Sequence, residues 1–180
     1  MKLISETSGI EKLASIRGEF SREITEKFEH RAKLCGICET PGACCLDEHF
    51  VNVHISRLEA VAIRNALGEL SKERQAVVYE RIEASIKKYD LGETGDTFAK
   101  TYACPLFEKG LGCLVHRTAK PLPCIAHACY EKKEDLPPGE LLAKREIEID
   151  KLNERVYGKS DPLRPLPVAI TSDSCQNRLW

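Results

Sequence analysis

Nine cysteines in 180 residues constrain this chain more than any other feature of its sequence, and eight of them fall between positions 35 and 129. A chain of this length buries roughly 70% of its unfolded surface, so it can build an apolar core without covalent staples. The N-terminal Met-Lys-Leu-Ile-Ser-Glu lacks the charged region, apolar run and small-residue cleavage site of a secretory signal. No stretch approaches the roughly 20 apolar residues of a membrane span. A soluble cytoplasmic protein without membrane association is therefore expected, in a compartment that keeps thiols reduced. Thiolate ligation of a metal then accounts for the cysteines best.

Lys and Arg number 27 against 28 Asp and Glu, for a net charge of −1. That balance supplies no field to attract a phosphate backbone, so nucleic acid is not an expected partner. With 42% hydrophobic residues, 9 Pro and 11 Gly, a single domain over 1–180 is expected. It comprises a cysteine core at 35–129 and a C-terminal helix and tail at 138–180.

The fold class expected is mainly α, with amphipathic helices around an irregular, cysteine-rich metal-binding core that carries short β-strands. Ile10, Leu13, Ile16, Phe20, Ile24 and Phe28 recur every three or four positions, which predicts a long helix from Ser8 to about Lys33. Its Arg17, Arg22, Lys27 and Arg31 are interleaved with acidic residues as a balanced surface edge. Phe50 to Ile55 alternates apolar and polar residues and predicts a strand. Ser56 with Glu59 forms a capping box that opens a second helix, which Gly68 is placed to stop in a left-handed conformation. A third helix is expected from Ser71 to about Tyr89, with Val78, Ile82 and Ile86 on its apolar face. Further short strands are expected at Thr101–Ala103 and Leu114–His116. A last helix is expected over Glu140–Tyr157, with Gly158 as its stop, before an extended tail marked by Pro162, Pro165 and Pro167.

The first cysteine cluster reads C-x2-C-x5-C-C, from Cys35 and Cys38 to Cys44 and Cys45. Four thiols within eleven residues, with Gly36 and Gly42 to let the chain fold back, can converge on a small volume. On an extended backbone the adjacent Cys44 and Cys45 point differently, so they can serve different centres. The second cluster is Cys104, Cys113, Cys124 and Cys129, whose spacings of eight, ten and four residues differ from the paired knuckles of a zinc ribbon. His116 and His127 lie among these cysteines but are expected as ordinary loop histidines. His30, His49 and His54 are not expected as ligands either. Nucleophile-elbow, zinc-protease, phosphate-loop and dinucleotide motifs are absent from the sequence.

In the run Cys35-Gly36-Ile37-Cys38 to Gly42-Ala43-Cys44-Cys45, then Cys104-Pro105-Leu106, then Gly112-Cys113-Leu114-Val115-His116 and Lys120-Pro121-Leu122-Pro123-Cys124, the chain resembles the YkgJ-type cysteine cluster family. These are CxxCxxCC domains described as zinc- or iron-chelating, and the resemblance spans about half of the chain. Glu39-Thr40-Pro41 is an insertion relative to the family pattern, while His116 stands where the family has Tyr and Lys120 where it has Arg. The thiol set is intact. The resemblance implies a bound metal or iron–sulfur centre, with Cys35, Cys38, Cys44, Cys45, Cys104, Cys113, Cys124 and Cys129 as ligands and Cys175 competing with Cys129 for the eighth place. A similar pattern occurs in flagellin lysine methylases, but no glycine-rich loop for S-adenosylmethionine is present, so methyl transfer is not carried over.

Soft thiolates suit both iron–sulfur clusters and zinc. Cys104-Pro105 and the neighbouring glycines, where backbone N–H groups can approach sulfur, favour an iron–sulfur cluster, with zinc as the alternative. The expected function is therefore that of an iron–sulfur protein with an electron-transfer or redox role and an unspecified redox or protein partner. A structural zinc protein acting as an interaction module is the second reading. A thiol-redox or metal-delivery protein using Cys44 and Cys45 is the third. No reaction, substrate or oligomeric state is legible.

Overall fold

The computed structural model describes residues 2–33, 42–46, 51–92 and 96–172. Seven α-helices and two small antiparallel sheets make the described chain mainly helical. None of the described helices is long and apolar enough to cross a membrane. The chain forms two compact units, Met1–Pro41 with Lys120–Asp161, and Gly42–Ala119 with Pro162–Trp180. The expected cysteine core at 35–129 contributes to both.

The first unit is built on α1 (Glu6–Lys27), which starts one turn earlier than its periodicity predicts because Ser5, not Ser8, is the N-cap. The Ser5 hydroxyl accepts the Ser8 N–H at 3.2 Å. Leu13, Phe20 and Ile24 bury one face of this helix against α5 (Leu122–Ala126) and α6 (Gly139–Tyr157). Leu122, Ile125, Ile149 and Leu152 complete that core, each side chain contributing about 2 kcal/mol by burial. Arg17 departs from the expected surface edge. It is buried on the Leu13/Phe20 side, where its Nε donates to the Lys120 carbonyl at 3.1 Å. Arg145 of α6 reaches Glu19 at 3.3 Å and Glu148 at 2.8 Å. Gly158 ends α6 at φ 75, as its position in the sequence predicts.

The second unit contains α2 (Ala43–Leu46), β1 (His54–Ile55), α3 (Arg57–Gly68), α4 (Lys72–Lys88), β2 (Phe107–Glu108), β3 (Gly112–Cys113), β4 (Arg164–Pro165) and α7 (Leu166–Thr171). The Ser56/Glu59 capping box is present at the start of α3. Gly68 is the last helical residue rather than a left-handed stop, and the chain leaves through Glu69 at φ −77 and ψ −10. Ser71 caps α4, whose Val78 and Ile82 are buried.

The strand expected at 50–55 is reduced to His54–Ile55, which pairs antiparallel with β4, and Phe50 lies outside the described residues. Val51 gives its carbonyl to the Tyr102 N–H at 2.9 Å, so Tyr102 is anchored without a strand at 101–103. The Tyr102 hydroxyl, at the centre of the unit, donates to the Val53 carbonyl and accepts the Leu166 N–H. The segment expected as a strand at 114–116 is a turn, held by the His116 N–H on the Cys113 carbonyl at 3.1 Å. The tail is not extended throughout. Pro165 and Pro167 sit at the N-cap and first turn of α7, where the missing proline N–H would have no helical partner, and α7 packs on α3 and α4.

Candidate metal centre

Cys44 and Cys45 lie in the single turn of α2, not on an extended backbone. Neighbouring side chains on a helix diverge by about 100°, so the two thiols still face different directions. The turn closes on Gly42, whose carbonyl accepts the N–H groups of Cys45 at 2.8 Å and Leu46 at 3.0 Å. Gly42 itself is at φ 83, and a Cβ there would run into the Phe107 ring. The sequence thus needs glycine here for two reasons, a left-handed backbone and close approach of an aromatic side chain.

Cys104 meets this turn directly, since its N–H donates to the Cys45 carbonyl at 2.7 Å. After Pro105 the chain doubles back, the Phe107 N–H donates to the Cys104 carbonyl at 3.3 Å, and the Leu106 and Phe107 backbone acts to lower the Cys104 thiol's pKa. It then enters the β2–β3 hairpin, where Phe107 is opposite Cys113 and Glu108 opposite Gly112. Gly110 at φ 85 and Gly112 at φ 93 make the reversal. This geometry brings Cys113 next to Cys104. Burial pushes the Cys104 thiol up to about 11, the Leu106 and Phe107 N–H groups oppose that rise, and the neighbouring Cys113 adds to it. A bound cation reverses this preference, because coordination deprotonates a thiol outright.

In the first unit, Cys124 sits on α5, and Cys129 forms a bridge with Lys33, whose N–H donates to the Cys129 carbonyl at 3.0 Å. Lys33 is two residues ahead of Cys35 in the chain. Cys35, Cys38 and Cys175 lie outside the described residues. The six described cysteines are all half-buried, and no disulfide joins them. Among the described residues, no three His, Cys, Asp or Glu side chains form a ready-made metal site. The donor chemistry nevertheless suits a soft metal, with four thiols in the second unit.

His30, His116 and His127 are exposed, and His49 lies outside the described residues. His54 is buried, stacks on Phe98 with ring centroids 3.9 Å apart, and pairs through Nε2 with the Thr97 hydroxyl at 3.0 Å. The sequence reading overlooked Arg81 of α4, whose charge acts on the Cys104 thiol. Its helical spacing from Val78 was the available signal, but a lone arginine beside an apolar stripe reads as surface. Comparison with models of protein families, with curated proteins and with solved structures finds no match for this chain.

Proposed function

We propose that this chain is a cysteine-thiolate metal protein that holds an iron–sulfur cluster, with an electron-transfer or redox role. Within the second unit Cys44, Cys45, Cys104 and Cys113 are the proposed ligands, and Cys35, Cys38, Cys124 and Cys129 are the remaining thiols of the assignment. The observation that carries the reading is the meeting of three separate cysteine positions at Cys104. Its N–H is bonded to the Cys45 carbonyl, Cys113 pairs across the hairpin with Phe107, and the Leu106 and Phe107 backbone favours its thiolate. Backbone N–H groups on sulfur are how proteins stabilise the charge of an iron–sulfur cluster and tune its potential. When bound, such a cluster supplies one-electron transfer. The chain's own contribution is to hold the thiols and limit water at Cys104.

A zinc-stabilised interaction module is the second reading, and the hairpin favours it. β2 and β3 have only two residues each, and so short a ribbon is not stable by itself. A metal bridging Cys104 and Cys113 would brace it, and metal-binding free energy would then contribute directly to folding.

The deciding experiment is purification without oxygen, with iron, acid-labile sulfide and zinc measured per chain alongside the visible spectrum. Iron with matching sulfide and a brown colour supports the cluster. Stoichiometric zinc without colour supports the second reading, and a metal-free folded chain overturns both.

A further inference from the structure

His54 of β1 is 7% exposed, and the side-chain hydrogen bond and the ring stack that it makes both come from one short 3-10 turn, Thr97–Ala99. Its Nε2 is 3.0 Å from the Thr97 hydroxyl, and its ring lies 3.9 Å from the Phe98 ring at 15°. Asn52, two residues ahead of His54, donates its side-chain N–H to the Phe98 carbonyl, so both side chains converge on Phe98. The turn has little hold of its own. Its backbone bonds, from the Ala99 N–H to the Asp96 carbonyl at 3.4 Å and from the Lys100 N–H to the Thr97 carbonyl at 3.3 Å, are longer than the roughly 2.7–3.2 Å of ordinary bonds. Phe98 is 61% exposed, so the ring that covers His54 is itself largely in water.

Two polar atoms of this arrangement, Asn52 Oδ1 and His54 Nδ1, are out of contact with solvent and have no hydrogen-bond partner. A neutral ring tolerates this best with its proton on Nε2, donated to the Thr97 oxygen, because the other tautomer buries an unanswered N–H. Protonation forces that N–H onto Nδ1. Nothing in the docked turn accepts it in bonding geometry, and the Asn52 backbone opposes the effect of burial only in part. The charged groups nearby are Asp96 and Lys100, which flank the turn, and Arg164 of β4, against which it packs, while α7 beside β1 carries none. Lys100 is held by Asp90 at 2.5 Å and Arg164 by the Ser172 hydroxyl at 2.8 Å, and none of the three pairs with the imidazole. Releasing the turn therefore gives both a charged ring and Asn52 Oδ1 the water that the docked state denies them. We propose that the Thr97–Ala99 turn is an acid-released latch on β1, docked while His54 is neutral and let go when the ring takes up a proton. The inference is independent of the metal reading.

The test is nuclear magnetic resonance on the isotope-labelled full-length chain from about pH 7.5 to about pH 4.5, beside His54→Gln and Thr97→Val. Opening takes up one proton, so between the His54 pKa of the docked state and its free value of about 6.5 the open fraction should grow about tenfold for each unit of pH lost. Amide exchange at residues 97–100, corrected for its intrinsic pH dependence, should accelerate by that factor, and the ring-current shift of Phe98 on His54 should vanish in the same step as the ring charges. The Tyr102 and Leu166 N–H groups, bonded to the Val51 and Val53 carbonyls at 2.9 Å, should stay protected. His54→Gln should abolish the pH dependence, and Thr97→Val should move opening to higher pH. A His54 that charges with the Phe98 shift intact overturns the latch, as does a ring that stays neutral and docked throughout, or an equal acid response in His54→Gln. Loss of Tyr102 protection together with the turn overturns it too, since the ring then charges only through unfolding of the whole unit. Should His54→Gln fail to fold, the wild-type signals decide by whether His54 charging and loss of the Phe98 shift share one midpoint.

Discussion

The Cys104 N–H donates to the Cys45 carbonyl across 2.7 Å, joining the two cysteine segments of the second unit through their backbones. The two segments are thereby joined by a main-chain bond that a side-chain substitution leaves in place. Cys113→Ser should consequently fold yet lose most of its bound metal and melt at lower temperature, since the metal's binding energy contributes to folding. Cys38→Ser should do the same if the first cluster shares in ligation. Iron, sulfide and zinc content together with thermal melts check this, and full occupancy in both variants would sink the assignment.

Gly42→Ala should be destabilising out of proportion to one methyl group. The φ of 83 costs an L-residue about 1–2 kcal/mol, and the Phe107 ring occupies the space of the new Cβ, which adds about 1–3 kcal/mol of overpacking. Pairing Gly42→Ala with Phe107→Leu should recover the steric part and leave the backbone part. A double-mutant cycle by urea unfolding measures the coupling, and strict additivity would show that the ring simply moves aside.

The sequence disclosed what depends on near neighbours and hid what depends on distant ones. The Ser56/Glu59 box, the start of the helix at Ser71 and the stop at Gly158 were legible as rules about three or four consecutive residues, while the same kind of rule misplaced the α1 cap at Ser8 and a left-handed stop at Gly68. α7 was not, because prolines that open a helix and prolines that extend a tail look alike until the packing partners α3 and α4 are known. Hairpin strands of two residues carry no alternation to detect, and buried Arg17 follows from a carbonyl 103 positions away. The site divides in the same way. Thiol spacing named the candidate ligands, whereas the Cys104–Cys45 backbone bond and the pairing of Phe107 with Cys113 are tertiary facts.

Ser56→Ala removes the hydroxyl half of a reciprocal cap and the hydroxyl's own bond to Glu59, while the Ser56 backbone N–H keeps its carboxylate partner. The Ser56 hydroxyl accepts the Glu59 N–H at 3.3 Å and donates to the Glu59 carboxylate at 2.9 Å, while that carboxylate accepts the Ser56 N–H at 2.9 Å. Glu59 is buried, so the substitution strips a hydroxyl partner from a carboxylate that water does not readily reach. A loss of about 2 kcal/mol is expected, the upper end for an N-cap serine. It should appear as a lower urea midpoint at unchanged slope. A shift near zero would mean that solvent replaces the hydroxyl.

His54 should give the second unit an acid-sensitive component of stability. Burial lowers its pKa, and the Asn52 backbone opposes this only in part. The neutral ring is the form that stacks on Phe98 and bonds Thr97. Between the depressed folded pKa and the unfolded value of about 6.5, the unfolded chain binds more protons, so stability rises with pH across that window. The contribution is complete above the unfolded pKa and is lost as pH falls through the folded one. Thermal melts from about pH 7 to about pH 5 should therefore decline more steeply for the wild-type chain than for His54→Gln, because carboxylate titrations common to both cancel in the difference. Parallel declines would show that His54 remains uncharged, or equally charged, in both states.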